Sequence, residues 1–251
     1  MLKMIISGCC GYMGRAVADL AKADSDIEIQ AGIDIVKDSL LTFPVYEEPS
    51  QFRGEADVVV DFSHPSALKP LLDFCMTNSL PVVLCTTGYT DAQLALIRAA
   101  ANRIPVFKTA NLSVGINILF EFVKRAAFLL GDEFDIEILE KHHNRKIDAP
   151  SGTALMLADA AKDGKNYSPD YVYDRSGYRK PRAKTEIGIS ALRGGTIPGE
   201  HSVFFAGNDE VIEFRHSVYS REVFAGGALR AAKFMANLKE PGMYDMSDVL
   251  Q

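Results

Sequence analysis

Four cysteines in 251 residues are too few for a disulfide framework, since folds held by disulfides are small and far denser in cysteine. Cys9 and Cys10 are adjacent rather than spaced as CxxC, and only His64 shares their half of the chain. No structural zinc set is therefore expected. The chain also lacks any run approaching the roughly 18 apolar residues of a membrane span. Its start, MLKMIISGCCG, enters a glycine-rich turn and offers no small-residue cleavage site. A reducing cytoplasm is the expected compartment. Positive charge is not in excess, with 27 lysines and arginines against 33 acidic residues and a net charge of −6. Broad binding to nucleic acid or an anionic membrane is excluded on that ground, although a local basic pocket is not. Neither an internal repeat nor a low-complexity tract interrupts the pattern. What remains is the composition of an ordinary globular protein, long enough to bury about 70% of its surface on folding.

The first hundred residues alternate between short apolar runs and amphipathic stretches. Strands are expected at Leu2–Ser7, Ile27–Ile33, Ala56–Phe62, Pro81–Thr86 and Pro105–Lys108, with helices at Arg15–Ala23, Pro65–Asn78 and Asp91–Asn102. Strands apolar on both faces and separated by helices predict a parallel sheet covered on both sides. After residue 110 the pattern changes. A long helix is expected at Val114–Leu130, a period-two strand at Phe134–His142, a helix over 152–161 and a long loop over 163–183. Alternating strands at Glu186–Leu192, His201–Gly207 and Glu210–Tyr219, joined by glycine turns, favour antiparallel pairing. A helix at Gly227–Leu238 closes the chain. The fold class expected is α/β: a Rossmann-type parallel-sheet domain followed by an α+β domain with a mixed or antiparallel sheet.

Two segments carry chemistry. The first is GCCGYMG, with Gly8, Gly11 and Gly14 between the first strand and the first helix. Glycines there let the backbone approach a pyrophosphate, and the helix start presents its N–H groups to the anion. The spacing is GxxGxxG rather than GxGxxG, and such a turn can also occur without a ligand. Asp34 lies 20 residues beyond Gly14, past the second strand, where a carboxylate can accept from the ribose hydroxyls of NAD. An ordinary loop aspartate is the alternative.

The second segment is EKHHNRKIDAPSGTA, residues 140–154. His142 and His143 end a strand, and Arg145 and Lys146 add positive charge. Ser151, Gly152 and Thr153 open a helix after Pro150, so their N–H groups and hydroxyls can receive a carboxylate or phosphate. The arrangement is an anion-binding end with two candidate proton handlers, although both histidines could be structural and Ser151 and Thr153 could simply cap. Ser151 as a nucleophile is disfavoured, because it lies outside GxSxG and at a cap.

The segments GCCGYMG, VVVDFSHP, CTTGY, TANLSVGIN, EKHHNRKIDAPSGTA, ALRGG, GEH and SREVFAGGAL cover nearly the whole chain. Together they resemble the 4-hydroxy-tetrahydrodipicolinate reductase (dihydrodipicolinate reductase) family of the diaminopimelate route to lysine. The HH…K.DAPSGTA portion is the specific part. The resemblance implies reduction of a small dicarboxylate, (2S,4S)-4-hydroxy-2,3,4,5-tetrahydrodipicolinate, by NADH or NADPH. It implies His142 as proton donor or acceptor with Lys146 as its proton-donating partner, and His143, Lys146, Ser151, Gly152 and Thr153 on the substrate. It implies dinucleotide contacts from Gly8, Cys9, Cys10, Gly11, Tyr12 and Met13, from Asp34, from Cys85, Thr86 and Thr87, and from Thr109, Ala110, Asn111 and Leu112. It also implies a nucleotide domain of residues 1–112 with 219–251, a substrate and tetramerisation domain of residues 113–218, and a homotetramer. Two departures stand out: Tyr12 and Ile35 occupy positions where members of the family carry arginine. With Lys37 the nearest cation, NADH is expected to serve at least as well as NADPH. The competing readings are another two-domain dehydrogenase and a catalytically silent dinucleotide sensor, neither of which needs the histidine-lysine segment.

Overall fold

Buried on both faces, the apolar runs of the N-terminal half assemble into one sheet. In the computed structural model, which describes every residue except Lys37 and Tyr178, the chain forms two units: Met1–Val114 with Arg221–Gln251, and Gly115–Ser220. The first unit begins with β1 (Leu2–Ser7), α1 (Tyr12–Lys22), β2 (Ile27–Ile33), β3 (Val45–Tyr46), β4 (Val58–Asp61), α2 (Leu68–Asn78), β5 (Val82–Leu84), α3 (Asp91–Ala101) and β6 (Pro105–Lys108). There follow α4 (Val114–Leu130), β7 (Asp135–His142), α5 (Gly152–Asp163), β8 (Asp170–Val172), β9 (Glu186–Arg193), β10 (Glu200–Ala206) and β11 (Val211–Ser217). The chain then returns to the first unit with α6 (Glu222–Met235), β12 (Gly242–Tyr244) and α7 (Met246–Val249).

The first sheet runs β12-β6-β5-β4-β1-β2-β3, and every pairing in it is parallel. Successive side chains of a strand point to opposite faces. Met4 and Ile6 of β1 thus join Val58 and Val60 beneath α1 and α6, with Val17, Ala228 and Ala232. Ile5 joins Val59, Val82 and Leu84 beneath α2 and α3, with Leu71 and Ile97. Each such side chain, fully buried, contributes roughly 1.5–3 kcal/mol. Helix α3 opens on a capping box, in which Thr90 Oγ1 accepts from the Gln93 N–H and Gln93 Oε1 accepts from the Thr90 N–H. Strand order reverses between β1 and β4, and at such a switch point the loops leaving the C-terminal strand ends diverge to leave a crevice. This unit is a Rossmann-type domain.

The second sheet runs β11-β10-β7-β9-β8. Ile136, Ile138, Ile187, Ile189, Val203 and Phe205 pack against Leu119, Val123, Leu157 and Ala161 of α4 and α5. The expected antiparallel pairing holds for β10 with β7 and with β11. It does not hold for Glu186–Leu192, because β9 lies parallel to both β7 and β8. Period-two alternation reports which face is covered and carries no information about strand direction. The chain reaches β9 after the crossover helix α5 and the short strand β8, within the stretch expected to be loop.

Helix α1 begins at Tyr12, three residues before the expected start, because its first turn belongs to the glycine loop and shows no apolar period. Helix α6 begins at Glu222 rather than Gly227, since Gly226 and Gly227 depress helix propensity and mask its first turn. The short elements β3, β12 and α7 are too brief to leave a periodic signal. Among the described residues no helix is long and apolar enough to cross a membrane.

Candidate active site

In the second unit, the inward positions of β7 read Ile136, Ile138 and then Glu140, which has no exposed surface. A buried carboxylate needs donors on every side, and Glu140 has them. Arg193 clamps it with Nη2 on Oε1 at 2.6 Å and Nη1 on Oε2 at 2.7 Å. The Ser151 N–H donates to Oε1 at 3.0 Å, and His142 Nδ1 lies 2.6 Å from Oε2. Burial drives this carboxyl upward, but the hydrogen bonds from His142, Arg193 and Ser151 outweigh it and bring its pKa down to about 2. Glu140 is therefore an anion at neutral pH, to which His142 Nδ1 donates, leaving Nε2 as the ring nitrogen that Glu140 does not hold. The His142 side chain keeps 12% of its surface exposed.

Register between strands brings these groups together. Glu140 faces His201 across β7 and β10, and His142 faces Arg193 across β7 and β9. His201 is buried, with Nε2 2.9 Å from Ser151 Oγ, and its ring meets that of His142 edge-on at 5.2 Å. Burial first, and the nearby His142 second, bring the His201 pKa down to about 4. His201 is neutral at pH 7. The Ser151 hydroxyl accepts from the Ala154 N–H as the cap of α5 and shares a hydrogen bond with the His201 ring.

The helix start therefore divides its work. Ser151 was expected on the substrate, but its N–H is engaged by Glu140 and its hydroxyl by His201, so it faces the protein interior. Gly152 is exposed, with open space beside its Cα, and Thr153 is half-buried in the first turn. His143, half-buried, is the first residue past β7. Lys146 Nζ pairs with Asp148 Oδ1 at 2.7 Å, and the Lys146 N–H donates to the His143 carbonyl. The ammonium that was expected on a substrate carboxylate thus already holds a carboxylate of the protein. Glu140, Arg193 and His201 carry no assignment in the motif reading. The available signal was a charged residue at an inward position of an alternating strand.

In the first unit, Gly8 has φ +75°, and a Cβ there would lie 2.6 Å from the Phe62 carbonyl. A Cβ on Gly14 would run into the Gly8 carbonyl oxygen. Both positions require glycine. Gly11 precedes α1 without a side-chain cap, and the first turn holds no acid; that leaves N–H groups and the helix dipole to meet an anion. Cys9 is buried, Cys10 half-buried, Tyr12 exposed and Met13 half-buried. Asp34 Oδ2 accepts from the Cys10 N–H at 2.9 Å and Oδ1 from the Val36 N–H at 3.0 Å. Gly8, Cys10, Gly11, Asp34 and Ser63 line a cavity of about 420 Å³.

Two arginines given no role in the motif reading stand beside this loop. Arg15 donates from Nε to the Cys10 carbonyl and pairs with Asp38 at 2.7 Å, while the Arg221 guanidinium lies 5.3 Å from the Tyr12 ring centre. The glycine loop is less poor in cations than Tyr12 and Ile35 implied; Lys37 lies outside the described residues.

The remaining expected contacts, Cys85–Thr87 and Thr109–Leu112, follow β5 and β6 on the same sheet edge. Thr86 is buried and donates to Asp61 Oδ2 at 2.8 Å. Asp61, also buried, accepts in addition from the Ser63 hydroxyl at 2.6 Å, so one carboxylate ties the loops after β4 and β5 together. Thr109 Oγ1 donates to the Asn111 carbonyl at 3.1 Å, and Asn111 Oδ1 accepts from the Ser113 N–H. Cys85 is half-buried, Thr87 and Ala110 are exposed and Leu112 is buried.

Known proteins share this organisation. The family model described as dihydrodipicolinate reductase, N-terminus, matches residues 2–112, and that described as dihydrodipicolinate reductase, C-terminus, matches residues 115–250. A 4-hydroxy-tetrahydrodipicolinate reductase of Clostridium tetani is 50% identical over 250 residues, spanning 100% of this chain and 97% of its own. One from Caldanaerobacter subterraneus is 49% identical over 252 residues, spanning 100% and 99%. A dipicolinate-bound dihydrodipicolinate reductase from Paenisporosarcina sp. TG-14 has the same fold, with a TM-score of 0.79 at 24% identity over 98% of this chain and 97% of that one.

Proposed function

Because the chain belongs to the dihydrodipicolinate reductase family, we propose that it reduces (2S,4S)-4-hydroxy-2,3,4,5-tetrahydrodipicolinate to (S)-2,3,4,5-tetrahydrodipicolinate with loss of water. It is an oxidoreductase of lysine and diaminopimelate synthesis. NADH or NADPH supplies the hydride when bound. A nucleotide domain, assigned as residues 1–112 with 219–251, holds it. Gly8–Met13 and the uncapped start of α1 receive the pyrophosphate, Asp34 accepts from the adenosine ribose, and Cys85–Thr87 with Thr109–Leu112 complete the contacts. The cavity beside Gly8 and Asp34, which a Cβ on Gly8 would disturb, supports this assignment.

Residues 113–218 take the dicarboxylate. Gly152 and Thr153 receive one carboxylate at the start of α5, and His143 and Lys146 neutralise charge, with Lys146 exchanging Asp148 for the substrate. The proton comes from His142 Nε2 or Lys146 Nζ, both positioned donors. Glu140 holds the His142 ring and its tautomer, and Arg193 keeps Glu140 ionised. The observation that carries this reading is the fully buried Glu140, clamped by Arg193 and aimed at His142 Nδ1. The enzyme is assigned as a cytoplasmic homotetramer, for which a sedimentation mass four times that of the chain is expected.

A coupled assay with synthase-generated substrate, run with NADH and NADPH at matched concentrations, tests the reading. Substrate-dependent oxidation of at least one dinucleotide is expected. No oxidation of either would overturn it.

A further inference from the structure

The glycine loop carries more chemistry than dinucleotide binding uses. Adjacent side chains of an extended strand diverge, but the chain turns at Gly8 and brings Cys9 Sγ and Cys10 Sγ to 3.8 Å. Asp34 reaches the same point from the end of β2, so that one ligand atom from each of the three residues lies within 4.8 Å of the others. Two sulfurs bound ~2.3 Å from one tetrahedral ion stand ~3.8 Å apart. The pair is already spaced as a metal dithiolate. The sulfurs touch each other, Cys9 is packed into the apolar core beneath α1, and Cys10 Sγ donates to the Val36 carbonyl at 3.1 Å.

We propose that Cys9, Cys10 and Asp34 form a site for one thiophilic divalent cation of the zinc and cadmium class, and that this ion and the dinucleotide exclude one another. Thiolates select such soft or borderline ions over magnesium and calcium, which prefer all-oxygen sets. Binding forms two metal–sulfur bonds and one metal–oxygen bond and releases the two thiol protons to solvent, with no change of oxidation state. Water fills the fourth position. The exclusion has a local cause. Asp34 is fastened to the loop through the Cys10 N–H, and the oxygen an ion would take belongs to the carboxylate assigned to the ribose. The site is inhibitory, because the ion takes the carboxylate assigned to the ribose. The exclusion rests on the dinucleotide assignment, whereas the ion site does not.

The test is a titration of the full-length protein with Cd²⁺, read by thiolate-to-cadmium charge-transfer absorbance and by X-ray absorption at the cadmium edge. Expected are one ion per chain with two sulfur scatterers and at least one oxygen, and no displacement by Mg²⁺. Saturating NADH should weaken Cd²⁺ binding at least about tenfold. Cys10→Ser should abolish the band. Asp34→Asn should keep it while weakening affinity roughly 10–100-fold, which protects the test should the cysteine variant fail to fold. No band at millimolar Cd²⁺, a full band in Cys10→Ser, or a different scatterer count overturns the site. Undiminished Cd²⁺ binding in the NADH-loaded protein overturns the exclusion. A failure of NADH to bind the ion-free protein overturns the dinucleotide reading and the exclusion with it, while the band and the scatterers still decide the ion site.

Discussion

The two units build their sites from different materials. In the first, the surface offered to a ligand is mostly backbone: Gly8 and Gly14 in conformations and clearances no other residue tolerates, and uncapped N–H groups at the start of α1. In the second it is a side-chain network, with Glu140 held by Arg193, His142 and the Ser151 N–H, and His201 held by Ser151. A backbone site recognises a shape common to many dinucleotides and has few atoms to mutate. A side-chain network fixes proton positions, and each member is exposed to substitution. On the roles proposed above, dinucleotide binding and proton chemistry are thereby separated by construction.

The sharpest way to break that contrast is His142→Ala or Lys146→Ala. Each should lower kcat by roughly 10²–10⁴-fold with dinucleotide affinity and circular dichroism unchanged. Near-normal turnover in both would remove proton chemistry from the second unit. Next in size, Glu140→Ala leaves the Arg193 guanidinium without its carboxylate and should cost about 3–5 kcal/mol of stability, read from the urea midpoint. A midpoint within error of wild type would mean that the network is ornamental.

Acid should act through the same network. The folded-state pKa of His201 lies near 4 against 6.5 for the free group. Between those values the unfolded chain binds the extra proton, so the contribution of His201 is fully present above about pH 6.5 and is lost as pH falls toward 4, roughly 3 kcal/mol in all. Glu140, depressed from 4.5 to about 2, adds a further loss only below pH 4.5. His201→Gln should flatten the dependence of the urea midpoint between pH 7 and 4.5. An unchanged slope would exclude His201 as its source.

Thr153→Val tests the division of the α5 start. It should raise KM for the substrate roughly 10–100-fold, the effect of losing a charged hydrogen bond worth ~1.5–3 kcal/mol, and leave KM for the dinucleotide alone. An effect confined to the dinucleotide would place Thr153 in the wrong site. Smallest is the cofactor ratio. Asp34→Ala removes a ribose acceptor and a repulsion toward a 2′-phosphate, so kcat/KM should move toward NADPH by a few-fold, about 1 kcal/mol or less. Arg15 and Arg221 near the loop make a weak preference for NADH the expected wild-type behaviour. A shift toward NADH in the variant would reverse the electrostatic account.

How much could be read in advance follows from the same contrast. Gly8, Gly14 and Asp34 are legible because a turn, a helix start and a strand end are local requirements that leave a spacing in the sequence. β1, β2, β6 and α4 end where their apolar runs end. Glu140 resists such reading, because a glutamate in FDIEILEKH is taken for the solvent face unless Ile136, Ile138 and Glu140 are counted along one side. Arg193 and His201 are harder still. They meet His142 and Glu140 only through register across β9 and β10, some fifty residues away, and the parallel direction of β9 is invisible to alternation. The histidines and Lys146 stand out because they cluster in sequence, whereas the groups that contact them cluster only in space.

The return of the chain to its first unit has a consequence for synthesis on the ribosome. The core beneath β1 and β4 lacks Ala225, Ala228, Ala232, Met235 and Met246 until α6 and α7 are made, and the pair between Lys233 and Asp24 joins residues 209 apart in sequence. At about 5–20 residues per second, a nascent chain that has emerged to Ser220 has all of its second unit available to fold while one face of its first sheet, covered by α1 but not yet by α6, stays incomplete for several seconds. Leu2–Ser7, made first, is therefore among the last strands to be covered. A message truncated before α6 would yield a protein whose histidine network can assemble but whose glycine loop rests on an unfinished sheet.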